Sequence, residues 1–258
     1  MNQQFTWHRL GLLIRNDFIG GYRSYLNIGT VILIIMALNA IPAAGFGNIS
    51  ESLYNKYFTA ILFLWGTPQA SLALQELTDK RLNDSFLLLP ASAVEKTIAR
   101  YLYSSVFFVV HILVYTTVAC FVLEGINQLM FGLHNGLFNP FDPYVWKIIA
   151  VFMAIQPVFF LGGAWFKRAR WFKTIMSVFA IGVFLGCLLL ITFLVFFAGS
   201  FHDVYALSPG NFGDIDADLH LFGGSLLLLK ILFYGVLPPF CVFVTWLRMR
   251  ETQVSHGI

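Results

Sequence analysis

Polar and apolar residues fall into long blocks along this chain instead of alternating. Six strongly apolar stretches contain no Asp, Glu, Lys or Arg: 24–50, 57–75, 101–123, 148–166, 174–202 and 231–247. Each reaches the ~17–25 residues that a helix needs to cross a hydrocarbon core of ~30 Å. A transmembrane β-strand would show alternation over about ten residues, and these runs are continuous. They predict six transmembrane helices at about 26–46, 55–75, 101–123, 147–166, 174–198 and 227–247. The last extends outward past Lys230, whose amine can reach the headgroups along its own stem. The expected fold class is an all-α integral membrane protein, one domain over 1–258, with no internal repeat or linker.

A different pattern precedes the first run. At 100° per residue, Trp7, Leu10, Leu13, Ile14 and Phe18 fall within about 140° of one another. Arg9, Asn16 and Arg23 point elsewhere, while Asp17 interrupts the apolar stripe. This predicts an interfacial helix over about 4–22, with Trp7 at headgroup depth and Gly20–Gly21 as the bend into the first span. A ragged cytosolic tail is the alternative. No compact apolar core is followed by a small-residue cleavage site, so a cleaved signal peptide is not expected.

Composition supports the membrane reading. The 258 residues are 58% apolar and 11% charged, against about 25% charged in an ordinary soluble domain. That is too little charge to cover a water-soluble enzyme and too much apolar surface for a disordered chain. Basic clusters of the kind that bind nucleic acid are missing, so no nucleic-acid partner is expected. The position of the charges fixes the orientation. Thirteen Lys/Arg fall on the side of both termini, and only Lys56, Lys147 and Lys230 on the other. With the acidic residues included, the two faces carry +7 and −4, so both termini are expected in the cytoplasm. Cys120, Cys187 and Cys241 all lie within predicted spans, where they read as packing residues.

The segment between spans two and three is the most informative. Phe86-Leu87-Leu88-Leu89 is an apolar cluster in a cytoplasmic loop, too short to span and ended by Pro90. Ser92 and Glu95 then form an S-x-x-E capping box for a helix leading into span three. The cluster either meets a partner, dips into lipid or packs beneath the chain's own spans.

The run Leu88-Leu89-Pro90-Ala91-Ser92-Ala93-Val94-Glu95-Lys96 resembles the "LPAS…EK" segment of small six-span permeases of the ABC-2 type. The resemblance covers nearly the whole chain, because that family also has an N-terminal elbow helix, six spans and cytoplasmic termini. It implies a membrane subunit of a bacterial inner-membrane transporter, with export the favoured direction. It also implies a coupling element at Asp84, Ser85, Phe86, Leu87, Leu88, Leu89 and Pro90, docking on an ABC ATPase subunit, with Ser92 and Glu95 starting span three. Two ATPase copies and a second permease, identical or homologous, would complete the assembly within membrane lipid. No Gly-Lys dipeptide occurs, so the chain has no phosphate loop. No catalytic residue and no cofactor is assigned to it; ATP and Mg would bind the partner ATPase.

The competing class is an ion-coupled carrier, which would place titratable groups in mid-membrane. His111 is the one candidate near mid-depth, as a relay or as a hydrogen-bonded packing residue. Asn39, Gln69 and Gln156 are polar candidates for a pathway, beside Pro42, Pro68 and Pro157. Pro238-Pro239 must distort span six. Gly182 and Gly186 offer a weak G-x-x-x-G helix contact. Asp214, Asp216 and Asp218 open like a calcium loop, but Leu219 and Ser225 replace its Gly and final Glu, leaving an acidic outer cap and no metal site. A membrane-embedded enzyme would need H-E-x-x-H or clustered catalytic groups, and the sequence has none.

Overall fold

The computed structural model describes residues 6–46, 51–77, 91–132, 136–197, 227–228 and 230–255. They are helical, with no strand among the described residues. Helix α1 is Trp7–Phe46 and α2 is Glu51–Leu72, followed by a single 3₁₀ turn at Gln75–Leu77. Helix α3, Ala93–Leu102, passes through a π-helical turn, Tyr103–Phe107, into α4, Phe108–Phe131. Helices α5, Pro143–Trp165, and α6, Arg170–Phe197, follow. A second π-helical turn, Leu232–Val236, leads into α7, Leu237–Ser255.

Four helical segments are long and apolar enough to cross a membrane: Ala93–Met130, Pro143–Trp165, Arg170–Thr192 and Leu232–Thr252. A fifth arises if two stretches of α1, Trp7–Arg23 and Tyr25–Leu38, count as one broken span. They meet at 45°, so the bend falls at Ser24 and not at the expected Gly20–Gly21. Helix α2 is long enough but too polar to meet the criterion. Its polar side chains are spent inward: Tyr54, Asn55, Thr67 and Ser71 are buried against neighbouring helices. A helix covered by protein can carry groups that lipid would not tolerate.

Helix α1 packs on α3 and α4, while α2 packs on α5, α4 and α6. Helix α7 closes on α5 and α3. The core lies between α1, α2, α4 and α5, around Ile32, Met36, Phe58, Leu62, Phe108 and Phe152. A smaller cluster of Leu74, Leu77, Ala93, Phe160, Ala164 and Met249 sits where α2, α3, α5 and α7 come together. Helices α2 and α5 approach so closely that a Cβ on Gly163 would run into the Ser71 backbone. By contrast, every described side chain over 178–192 of α6 is exposed. Neither Gly182 nor Gly186 has a neighbour on its Cβ side among the described residues, so the G-x-x-x-G contact is not made among them.

Candidate functional site

Two polar clusters distinguish the interior, and the first surrounds the loop between α2 and α3. Ser92 adopts an extended conformation (φ −67°, ψ 154°) and its hydroxyl accepts from the Glu95 N–H at 3.2 Å. Glu95 returns a carboxylate oxygen to the Ser92 N–H at 2.8 Å, so the expected capping box is formed in both directions. The other Glu95 oxygen accepts from the Thr6 N–H at 2.7 Å, which pins the start of α1 to the start of α3. The loop expectations Asp84, Ser85, Phe86, Leu87, Leu88, Leu89 and Pro90 lie outside the described residues. Its two stems are held nonetheless. Leu77 and Ala91 are buried, and Arg170 reaches from α6 to the Gln75 carbonyl at 3.5 Å.

Three charges that sequence reading left unassigned bind these stems together. Arg100, one turn below the end of α3, contacts Asp17 of α1 at 3.4 Å and Glu76 of the 3₁₀ turn at 2.5 Å. Asp17 is 8% exposed and Glu76 26%. Burial pushes the Asp17 carboxyl up to about 6; Arg100 opposes that shift and Glu76 adds to it. Asp17 lies within an apolar stripe that is itself turned inward: Leu10 is buried and Leu13 and Ile14 are half-buried on the same side. The inward face of α1 is Leu10, Asp17, Gly21, Tyr25, Ile28, Ile32 and Met36, a 3–4 spacing on which Asp17 is in register. Trp7 and Phe18 lie on the outer face and are exposed. Gly21 is there for close approach: a Cβ would collide with the Tyr103 hydroxyl.

The second cluster centres on the π-helical turn. A π turn changes the hydrogen-bond spacing and disturbs the ladder around it. Here Ser105 donates to the Tyr101 carbonyl at 2.6 Å and Ser104 approaches the same oxygen at 3.3 Å. Gln156 of α5, fully buried, donates to the Ser104 hydroxyl at 3.0 Å, and its own carbonyl oxygen has no partner. Tyr25 of α1 donates to the Tyr103 carbonyl at 3.3 Å, and Gln69 of α2 interacts with the Tyr25 hydroxyl. Two expected pathway residues therefore meet the π turn at adjacent positions, Gln69 at Tyr103 by way of Tyr25 and Gln156 at Ser104.

His111 lies two turns further along and faces α1. Its Nε2 is 3.3 Å from the Tyr25 carbonyl, which can only accept, so Nε2 carries the proton. The ring sits between Tyr25 and Tyr115, with centroids at 4.8 and 5.2 Å. The fourth expected residue, Asn39, falls in α1, but its side chain lies outside the described residues, as does the acidic segment 214–218. Among the described residues no three His, Cys, Asp or Glu come together to hold a metal.

The class these features define is a helical protein with several segments long and apolar enough to cross a membrane and a charged, cross-braced set of helix ends. No protein-family model, curated protein or solved structure matches the chain.

Proposed function

We propose that this chain is the membrane-spanning subunit of an ATP-driven ABC-2 type transporter of a bacterial inner membrane. It would export a lipidic, glycan, peptide or drug-like substrate, energised by two copies of a separate ATPase and paired with a second permease. In this reading α1 begins as the elbow and continues as span one, and α2 is span two although its polar inner face masks it. The remaining spans are α3–α4, α5, α6 and α7, with both termini cytoplasmic.

The observation that carries the reading is the bracing of the loop 78–90. Its incoming stem is tied through Glu76 and Arg100 to α1, and its outgoing stem through Ser92, Glu95 and Thr6 to the same helix. A force applied to the apolar cluster Phe86–Leu89 would reach α1, α2 and α3 together, as coupling to an ATPase requires. The carrier alternative draws less support, because His111 is committed to a backbone carbonyl between two tyrosine rings.

Replacing Phe86 and Leu88 together by Asp tests the coupling role. Membrane insertion should be retained while co-purification of the ATPase is lost. Undiminished co-purification of the double variant would overturn the assignment.

A further inference from the structure

Helices α1 and α2 follow one another in sequence and both pack on α4, and a cleft of about 260 Å³ lies between them. Asn27, Ile28 and Val31 form one wall, and Trp65, Pro68, Gln69 and Leu72 the other. Asn27, Val31 and Leu72 are exposed, so the cleft is open along one side. Of its lining residues, Gln69 also meets the Tyr25 hydroxyl, which donates to the Tyr103 carbonyl. We propose that this cleft is a binding site for a neutral amphiphile, with its hydrogen-bonding head on Gln69 and Asn27 and its apolar body along Ile28, Val31, Trp65 and Leu72.

The lining chooses the chemical class. None of the seven lining residues is charged, so an anionic or cationic head would be taken from water without a counter-charge. Two carboxamides offer both donors and acceptors, which suits a hydroxyl or amide head. Pro68 lines the same wall, adding apolar contact without an N–H of its own. The aliphatic side chains and the indole then supply the contact area, as in small-molecule sites that pair an apolar wall with a few convergent polar groups. The volume lies just below the ~300 Å³ at which drug-sized pockets begin, so the cleft takes the head and upper chain of a longer molecule. The walls belong to this chain alone, so the site does not depend on an ATPase partner.

Photolabelling tests it. The full chain, in phosphatidylcholine nanodiscs, is labelled with a monoacylglycerol carrying a mid-chain diazirine, with unlabelled monoacylglycerol as competitor and peptide mapping as readout. Labelling of 27–31 and 65–72 should saturate and be competed away, whereas that of 178–192 on the exposed face of α6 should follow bulk lipid. Gln69→Ala should reduce cleft labelling about fivefold, the factor for one lost hydrogen bond. The exposed change Asn27→Leu, which leaves the packed core untouched, should reduce it in the same direction. Three results would overturn the proposal. Cleft labelling could run in step with α6 and resist competition, which means annular lipid only. An acyl-chain diazirine with a free carboxylate could label the cleft equally well. Or Val31→Cys in a Cys187→Ser background could form disulfide-linked dimers, which means a second copy covers the cleft.

Discussion

Arg100→Met removes the guanidinium that two carboxylates share while keeping most of the side chain's apolar volume. Asp17 would be left 8% exposed, with the Glu76 carboxylate still pushing its carboxyl toward the neutral form. Breaking a buried ion pair by deleting one partner costs roughly 3–5 kcal/mol, because the remaining charge is stranded. Glu76 is 26% exposed and can turn toward solvent, and Asp17, which already holds its proton up to about pH 6, takes one up once the guanidinium is gone, so at pH 7 the loss falls to about 1.5 kcal/mol. Most of that penalty is the cost of protonating Asp17, and adding Asp17→Asn should return about half of it. Stability is read by titrating SDS into mixed micelles and following helix content, with the four proteins forming a double-mutant cycle. An Arg100→Met variant within about 0.5 kcal/mol of wild type, or an Asp17→Asn change that simply adds to the loss, would refute the stranded-charge reasoning.

Three further outcomes are expected. The folded-state pKa of Asp17 is raised from 3.8 to about 6, so the folded protein holds a proton there that the unfolded chain releases. This contribution to stability is full below about 3.8 and lost as pH rises through about 6, amounting to about 3 kcal/mol in wild type compared with Asp17→Asn. A flat difference between the two over pH 4–7 would contradict it. Ala169, at φ 50° in the turn joining α5 to α6, is in the left-handed region. Ala169→Gly should therefore stabilise the same SDS transition by roughly 0.5 kcal/mol, strain relief of about 1–2 being partly offset by unfolded-chain entropy. Gly163→Ala should destabilise by about 1–3 kcal/mol, since its Cβ would meet the Ser71 backbone rather than a side chain that can move; an unchanged transition would show that α2 and α5 are not so tightly packed.

Long apolar runs made α4, α5, α6 and α7 legible, because lipid imposes apolarity over a fixed length. The Ser92–Glu95 cap was legible for a local reason: its partners are three residues apart. Helix α2 was found as an uncharged run, but the burial of its polar face on α5 could not be read from one strand of text. The same holds for Arg100, whose partners lie 83 residues before it and 24 residues before it along the chain. Asp17 marks the boundary of the method. A hydrophobic-moment argument rejects a carboxylate on an inner face, and only the opposing Arg100 makes that position acceptable. The bend of α1 was misplaced for a related reason, since Gly21 serves close packing on Tyr103 while the axis turns at Ser24.

The most direct test of the transporter reading is what leaves the membrane with the chain. Tagged protein would be purified from its native host in mild detergent and its companions identified by mass spectrometry. A stoichiometric partner carrying G-x-x-x-x-G-K-S/T is the expected result. A homo-oligomer with no nucleotide-binding partner would contradict it and make His111 the first residue to mutate as a carrier's proton site.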